Sequence, residues 1–459
     1  MRIKPINLLC GLLVAALLPS TALAASAVHE YKLDNGMRVL IKEDHRAPVA
    51  VSQVWYRVGS SYEYNGITGV SHALEHMMFK GTDKLGPNEF SKIIAANGGR
   101  ENAFTGRDYT AYFQRMHKDR IEVSFRLEAD RMRNLTLPSK EFDKEIKVVM
   151  EERRLRTEDK PTSLTYESFT AAAYQTSPYH HPIIGWMDDL KSMTITDLSD
   201  WYKRWYTPAN ATIVVVGDVE ADATFKLIKK YFGPLKGPNV IPVKPQREVK
   251  QLGERRLTVK AASEVPYLLM GYKVPVLMTA DDDNDVYALE MLAAILDGGN
   301  SARFSKELVR DKQIAVSAGA GYDMYNRIDS LFLFDGRPTA NHTITELEQA
   351  IRGQITRVKT ELASKSELDR IKAQVVASKV YERDSVFYQA MQIGTLVTVG
   401  LDHKRLDEYV DRIRAVTPEQ VLAVAKKYLT DERLTVAVLQ PEKGKKASRP
   451  SAGAANVRH

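Results

Sequence analysis

Hydrophobic residues recur along the chain in patterns that separate strands from helices. Residues 28–33 and 37–41 flank an Asn35-Gly36 turn, the combination that closes a β-hairpin. Residues 49–58, which include Trp55 and Tyr56, read as a further strand, and the aliphatic run 213–216, ending at Gly217-Asp218, as a buried one. Helical spacing marks residues 70–80, 89–97 and 119–134, and a longer helix over 141–156 carries Ile146, Val148, Val149 and Met150. Trp201, Trp205 and Tyr206 read as core. Strands followed by runs of helix, without strict βαβ alternation, predict an α+β fold.

Periodicity breaks over residues 233–251, where Pro234, Pro238, Pro242 and Pro245 stand among scattered charge, so a linker between two halves is expected there. The halves resemble each other. Ala73-Leu74-Glu75 is echoed by Ala288-Leu289-Glu290, and Tyr206 before the 213–216 run by Tyr428 before 434–439, both roughly 220 residues on. One unit is therefore read as duplicated, and in the echo His72 becomes Tyr287 and His76 becomes Met291. The expected domains are 25–235 and 252–440, joined by a linker over 236–251 and followed by a disordered Lys-, Ala- and Ser-rich tail over 441–459.

Composition narrows the class. Of 459 residues, 44% are apolar and 27% charged, which suits globular domains with an ample core. The net charge of +7 is modest, and the basic residues are mixed with acids rather than set in a stripe with aromatics, so no nucleic-acid partner is expected. Arg2 and Lys4 precede an apolar stretch over 8–18 and the small-residue site Ala22-Leu23-Ala24. Residues 1–24 therefore read as a signal peptide cleaved after Ala24, with export to a bacterial periplasm as the expected outcome. No run reaches the roughly 20 apolar residues of a membrane span. Cys10, the sole cysteine, falls within that signal, so the mature chain has no thiol and any metal must be held by His, Asp or Glu.

One constellation carries chemistry. In His72-Ala73-Leu74-Glu75-His76 the two histidines are four residues apart and share a helix face, and Glu75 lies near enough to orient a water on the same ion. This H-x-x-E-H order is the inverted form of the H-E-x-x-H zinc peptidase signature. Two neutral imidazoles and one carboxylate would leave an open position on a strongly Lewis-acidic zinc, with Glu75 as general base. The third ligand should come from the 141–156 helix. Glu145 and Glu152, two turns apart, share a face there, and either could ligate while the other steadies a histidine N–H. Glu151 points roughly 100° away from Glu152. His180-His181-Pro182 reads as a loop feature, and Arg153, Arg154 and Arg156 as a solvated or ion-paired helix end.

The run from Gly69 through His72, Glu75 and His76 to Thr82 resembles the signature of the pitrilysin/insulinase family of zinc peptidases (peptidase family M16), which includes the mitochondrial processing peptidase and its bacterial relatives. Further matches are Gly98-Gly99, Asn102-Ala103-Phe104-Thr105, Val148-Val149-Met150-Glu151-Glu152-Arg153, Tyr206-Thr207-Pro208-Ala209-Asn210, Gly217-Asp218-Val219, and the stretch from Gly298 to Phe304. The resemblance implies two homologous α+β halves in a clamshell, one zinc per chain in the first half, Glu152 as the third ligand and Glu145 supporting it. It implies that Asn102 and Ala103 bind substrate backbone along an exposed strand edge. Self-sufficient members supply an Arg and a Tyr seven residues apart from the second half. Here Arg310 is present as a candidate substrate-binding residue, but Ser317 lies seven residues on, and Val316 stands at the position expected for the tyrosine.

The expected function is therefore a zinc-dependent endopeptidase that cleaves peptides or unfolded segments in a closed chamber. A related subunit with the Arg/Tyr pair but no zinc motif is the expected partner. The alternative is a non-catalytic assembly or peptide-binding scaffold that keeps the peptidase fold.

Overall fold

The computed structural model describes residues 27–244 and 246–442; the expected signal peptide and residues 443–459 lie outside this range. The first half contributes strands β1 (Val28–Lys32), β2 (Arg38–Glu43), β3 (Val49–Tyr56), β4 (Arg100–Thr105), β5 (Thr110–His117) and β6 (Ala211–Gly217). They form one sheet in the order β1-β2-β6-β3-β5-β4, with only β2 and β6 parallel. Its helices are α1 (Val70–Met77), α2 (Glu89–Ala96), α3 (Ile121–Asn134), α4 (Ser139–Arg153), α5 (Pro161–Ala173), α6 (Met187–Ser192), α7 (Ile195–Trp205) and α8 (Ala221–Phe232).

The second half repeats the plan. Strands β7 (Arg255–Ala262), β8 (Tyr267–Val274), β9 (Ala315–Gly321), β10 (Ser330–Pro338) and β11 (Leu434–Glu442) are ordered β7-β11-β8-β10-β9, again with one parallel pair, β7 and β11. This is the order β2-β6-β3-β5-β4 of the first sheet, strand for strand. The helices are α9 (Asp283–Asp297), α10 (Ile344–Thr360), α11 (Lys365–Glu382), α12 (Val386–Val399), α13 (Arg405–Ala415) and α14 (Pro418–Tyr428).

Each sheet is covered on one face by helices of its own half and on the other by a helix from the opposite half. Val54, Tyr56 and Ile213 pack with Phe125 of α3 and with Trp201 and Trp205 of α7. On the reverse face Val51, Trp55, Val214 and Val216 meet Ala390, Ile393 and Val397 of α12. That two-sided burial is why residues 213–216 are aliphatic without alternation. In return, Phe169 and Ala173 of α5 pack on Leu269, Leu331 and Ala437 of the second sheet. Both docking helices meet a glycine contact. A Cβ at Gly394 would lie 2.1 Å from Trp55, and one at Gly271 would lie 2.7 Å from Phe169. The exchange binds the halves into one body and fixes α5, which walls the cleft described below.

A polar clasp adds to this. Arg327, between β9 and β10, donates from Nε to Asp108 (3.0 Å) and from Nη2 to Ser61 (2.8 Å), and Tyr179 also donates to Asp108. The described linker residues form no helix or strand, yet Glu248 accepts backbone N–H bonds from Gln175, Thr176 and Ser177 and a 2.7 Å bond from Lys273, which pins it to both halves.

Some boundaries differ from expectation. The helix expected over 141–156 starts at Ser139 and changes after Arg153 into a π-helix, Arg154–Glu158. The 119–134 helix begins with a 3₁₀ turn, Lys118–Arg120. Strand β11 extends to Glu442, two residues into the expected tail, because Pro441 and Glu442 continue the parallel register beside Ala261 and Ala262.

Candidate metal centre

Helix α1 carries the motif. Val70, Ala73, Leu74 and Met77 face the core, which turns His72, Glu75 and His76 to the other side. The loop that enters it is tightly held. Gly69 has φ +86° and sits so close to residue 184 that a Cβ would lie 2.6 Å from the Ile184 carbonyl oxygen, which only glycine permits. Glu63 caps the helix, accepting from Gly69 N (2.7 Å) and Ser71 N (2.9 Å), and burial pushes its carboxyl up to about 7 despite these bonds. Asp189 accepts from Gly66 N and Thr68 N, each at 3.1 Å.

Helix α4 crosses α1 and brings Glu145 and Glu152 to the histidines. His76 Nε2 lies 3.4 Å from Glu152 Oε2, and His72 Nε2 lies 3.9 Å from Glu152 Oε1. Donor atoms of His72, His76 and Glu152 all lie within 4.8 Å of one another, the one such trio found among the described residues. A tetrahedral ion with bonds of about 2.0–2.1 Å spaces its donors about 3.3 Å apart, so this trio fits zinc with small adjustment. On the far side of His76, Nδ1 lies 3.1 Å from Glu145 Oε1, and Glu145 Oε2 takes a 2.6 Å bond from Lys80.

The pocket favours positive charge. Burial opposes ionisation of Glu152, yet His76, His72 and Arg156 hold its carboxyl at about 2. Burial likewise opposes the Glu145 charge, but His76 and Lys80 keep that carboxyl below its ordinary range. Glu75 behaves differently: burial raises its pKa, and the opposing bond from Thr105 Oγ1 only partly offsets this.

His72, Glu75, His76, Glu152 and Arg156 line a cleft of about 830 Å³. Asn102, Ala103 and Thr105 of β4, Arg107 just beyond it, Tyr166 and Thr170 of α5, and Tyr267 of the second half complete its walls. Strand β4 is an edge of its sheet, so the expected peptide-binding residues Asn102 and Ala103 sit where another strand could add. The Ala103 N–H bonds Asn102 Oδ1 at 2.8 Å.

Not every expected residue arrives here. Arg310 does not line the cleft; Nη1 donates to the Asn300 carbonyl, so its own half holds the guanidinium. Val316, at the position expected for the tyrosine, is exposed, and the next tyrosine along the chain, Tyr322, donates to the Pro275 carbonyl inside the second half. In the echo of the motif, Tyr287 and Met291 are buried in the core and Glu290 accepts a 3.3 Å bond from Tyr409, so hydrocarbon and phenol fill the space the histidines occupy in the first half.

Several contributors are not legible as such in the sequence. Thr105, Lys80, Glu63 and Arg107 are ordinary strand, helix or loop residues there. His181, read as a loop feature, lines the cleft, where burial lowers its pKa to about 4 and Nε2 meets Asn65 Oδ1 at 3.3 Å. Of the two readings of the arginine-rich helix end, the ion-paired one holds: Arg153 is buried and grips Glu167 through two 2.8 Å bonds, Arg154 pairs with Glu151, and Arg156 reaches Glu152 at 2.6 Å.

Residues 38–186 match the model of the insulinase family (peptidase family M16), and residues 192–375 that of the peptidase M16 inactive domain. The chain is 33% identical over 413 residues to the zinc protease PqqE of Helicobacter pylori, covering 89% of this chain and 92% of that one. It is similar to the crystal structure of a protease from Helicobacter pylori, with a TM-score of 0.86 at 32% identity over 91% of this chain and 100% of the other. The periplasmic protease PqqL from Escherichia coli shares the fold, with a TM-score of 0.77 at 18% identity over 91% of this chain and 48% of that one. Among the described residues no helix is long and apolar enough to cross a membrane.

Proposed function

The chain belongs to the insulinase family, peptidase family M16, and on that premise we propose that it is a zinc-dependent endopeptidase acting on peptides or unfolded protein segments. The observation that carries this reading is the convergence of His72, His76 and Glu152 at zinc-donor spacing, with Glu75 held beside them by Thr105.

His72, His76 and Glu152 would hold the ion, one per chain. When bound, zinc supplies Lewis acidity to the scissile carbonyl and to the attacking water. Glu145, opposite His76 Nδ1, fixes the tautomer that turns the Nε2 lone pair inward. Glu75 takes a proton from the attacking water and returns it to the leaving amine nitrogen. Its raised pKa suits this exchange, because a carboxyl poised nearer neutrality both accepts and releases the proton. Thr105 holds one carboxylate oxygen and thereby sets the direction in which the other works.

Substrate binds as an extended strand along β4, using main-chain bonds near Asn102 and Ala103, so its side chains need little in common. The wall formed by α5 and Tyr267 admits an extended segment rather than a folded domain. Because Arg310 is engaged away from the cleft, a related subunit lacking the zinc motif would supply the Arg and Tyr and close the chamber. The signal-like residues 1–24 support action after export, in a periplasm.

The test is zinc content and cleavage together. The mature protein should hold about one zinc per chain. His76→Ala should lose it, and Glu75→Gln should keep it while abolishing cleavage. Absence of zinc from wild type, or full activity in Glu75→Gln, would overturn the reading. Cleavage that does not rise when a zinc-less paralogue is added would remove the partner.

A further inference from the structure

Arg107, on the wall of the cleft, is a charge without a counter-ion among the described residues. Its backbone is clamped, since Ser60 N and Ser61 N donate to the Gly106 and Arg107 carbonyls, and its side chain joins the wall that holds His72, Glu75 and Tyr166. Nε is buried without a hydrogen-bond partner among the described residues. Nη2 makes only a 3.3 Å bond to the Tyr166 hydroxyl, and the guanidinium carbon stands 5.3 Å from the Tyr179 ring centroid. No acidic side chain among the described residues pairs with it. The neighbouring arginines differ: Arg153 has Glu167, Arg156 has Glu152 and Arg327 has Asp108.

A guanidinium withdrawn from water is normally paired, because desolvation costs more than aromatic contacts return. Here the fold surrounds the cation with phenols and leaves the carboxylate out, on a wall that faces ligand. We propose that Arg107 is the recognition site for an acidic side chain of the substrate, N-terminal to the scissile bond. The assignment rests on the peptidase reading of the same cleft.

The side of the bond follows from topology. Strands β3, β5 and β4 are antiparallel to their neighbours, and a peptide continuing that pattern runs from the Arg107 end of β4 toward Arg100. Strand β4 ends at Thr105, which bonds Glu75, and Arg107 stands two positions beyond it in the turn to β5, so the residue it meets lies roughly two to four places upstream of the cut. A carboxylate there receives paired N–H donors from a planar fork, which lysine cannot reproduce.

Peptides identical except for Glu or Gln, walked over these upstream positions, test the proposal. Two readouts are used: kcat/KM with the zinc-loaded mature protein, and fluorescence-anisotropy binding to its Glu75→Gln variant, which needs no turnover. At one position the Glu peptide should be favoured by on the order of 10- to 100-fold. In Arg107→Met the ratio should fall to near one with zinc content unchanged, and Arg107→Lys should keep part of it. Equal binding of Glu and Gln peptides at every position by protein with Arg107 intact overturns the proposal without any requirement that the variant fold. An undiminished preference in Arg107→Met overturns it as well. If no peptide is cut even with the zinc-less paralogue added, yet the binding ratio holds, the peptidase reading fails and the Arg107 assignment stands.

Discussion

Thr105 on the edge strand β4 donates its hydroxyl hydrogen to Glu75 Oε2 on α1, a contact between elements thirty residues apart in sequence. Orienting a buried carboxylate with one charge-assisted bond stabilises it by about 1.5–3 kcal/mol. Thr105→Val keeps the shape and removes the donor. Cleavage should fall at least about tenfold while zinc stays bound; steady-state kinetics beside metal analysis check this, and an unchanged kcat would remove Thr105 from the mechanism.

Glu145 touches His76 rather than the expected metal position. Glu145→Ala should weaken zinc binding by about 10- to 100-fold without unfolding the chain. Competition against a chelator measures this. An affinity equal to wild type would mean that Lys80 and Glu145 form only a surface ion pair.

Gly394 of α12 lies flat on the indole of Trp55, with a notional Cβ 2.1 Å from the ring. Gly394→Ala should therefore cost about 1–3 kcal/mol through overpacking where the halves join. Gly353, inside α10 with nothing within 4 Å of its notional Cβ, is the control, and Gly353→Ala should stabilise by about 0.5–1 kcal/mol. Thermal melts of the two variants should shift in opposite directions.

Glu248 gives the linker a pH dependence. Burial opposes its charge, but Lys273 and the N–H groups of residues 175–177 hold its carboxyl at about 2, below the ordinary 4.5. The folded state binds this proton less readily than the unfolded one. Its contribution, on the order of 2–3 kcal/mol, is therefore complete above about pH 4.5 and is lost as the pH falls toward 2. Glu248→Gln should lower the melting temperature at pH 7 and flatten the decline between pH 4.5 and 2. Parallel melting curves for the two proteins would contradict this.

Local patterns reach far in this chain and stop at definite points. The spacing of Val70, Ala73, Leu74 and Met77 already turns His72, Glu75 and His76 to one side of a helix, because residues three and four apart share a face wherever the helix lies. The same reasoning leaves Glu145 and Glu152 equivalent. Their separation appears only when α4 crosses α1 and one carboxylate meets His76 Nε2 while the other meets Nδ1. The π-turn after Arg153 is invisible to a 3.6-residue period, although the four-residue spacing of Glu152 and Arg156 already brings that pair together.

By itself the sequence determines the duplicated α+β plan, the motif helix and the confinement of cysteine to position 10, all consequences of composition and short-range periodicity. Tertiary structure alone decides which sheet receives α5 and which α12, because an apolar face does not name its partner. It decides that Arg310 is held away from the cleft, and that Arg107 enters it without a carboxylate partner among the described residues. A side chain's charge is written in the sequence, but its counter-ion depends on which distant elements the fold brings within hydrogen-bond reach.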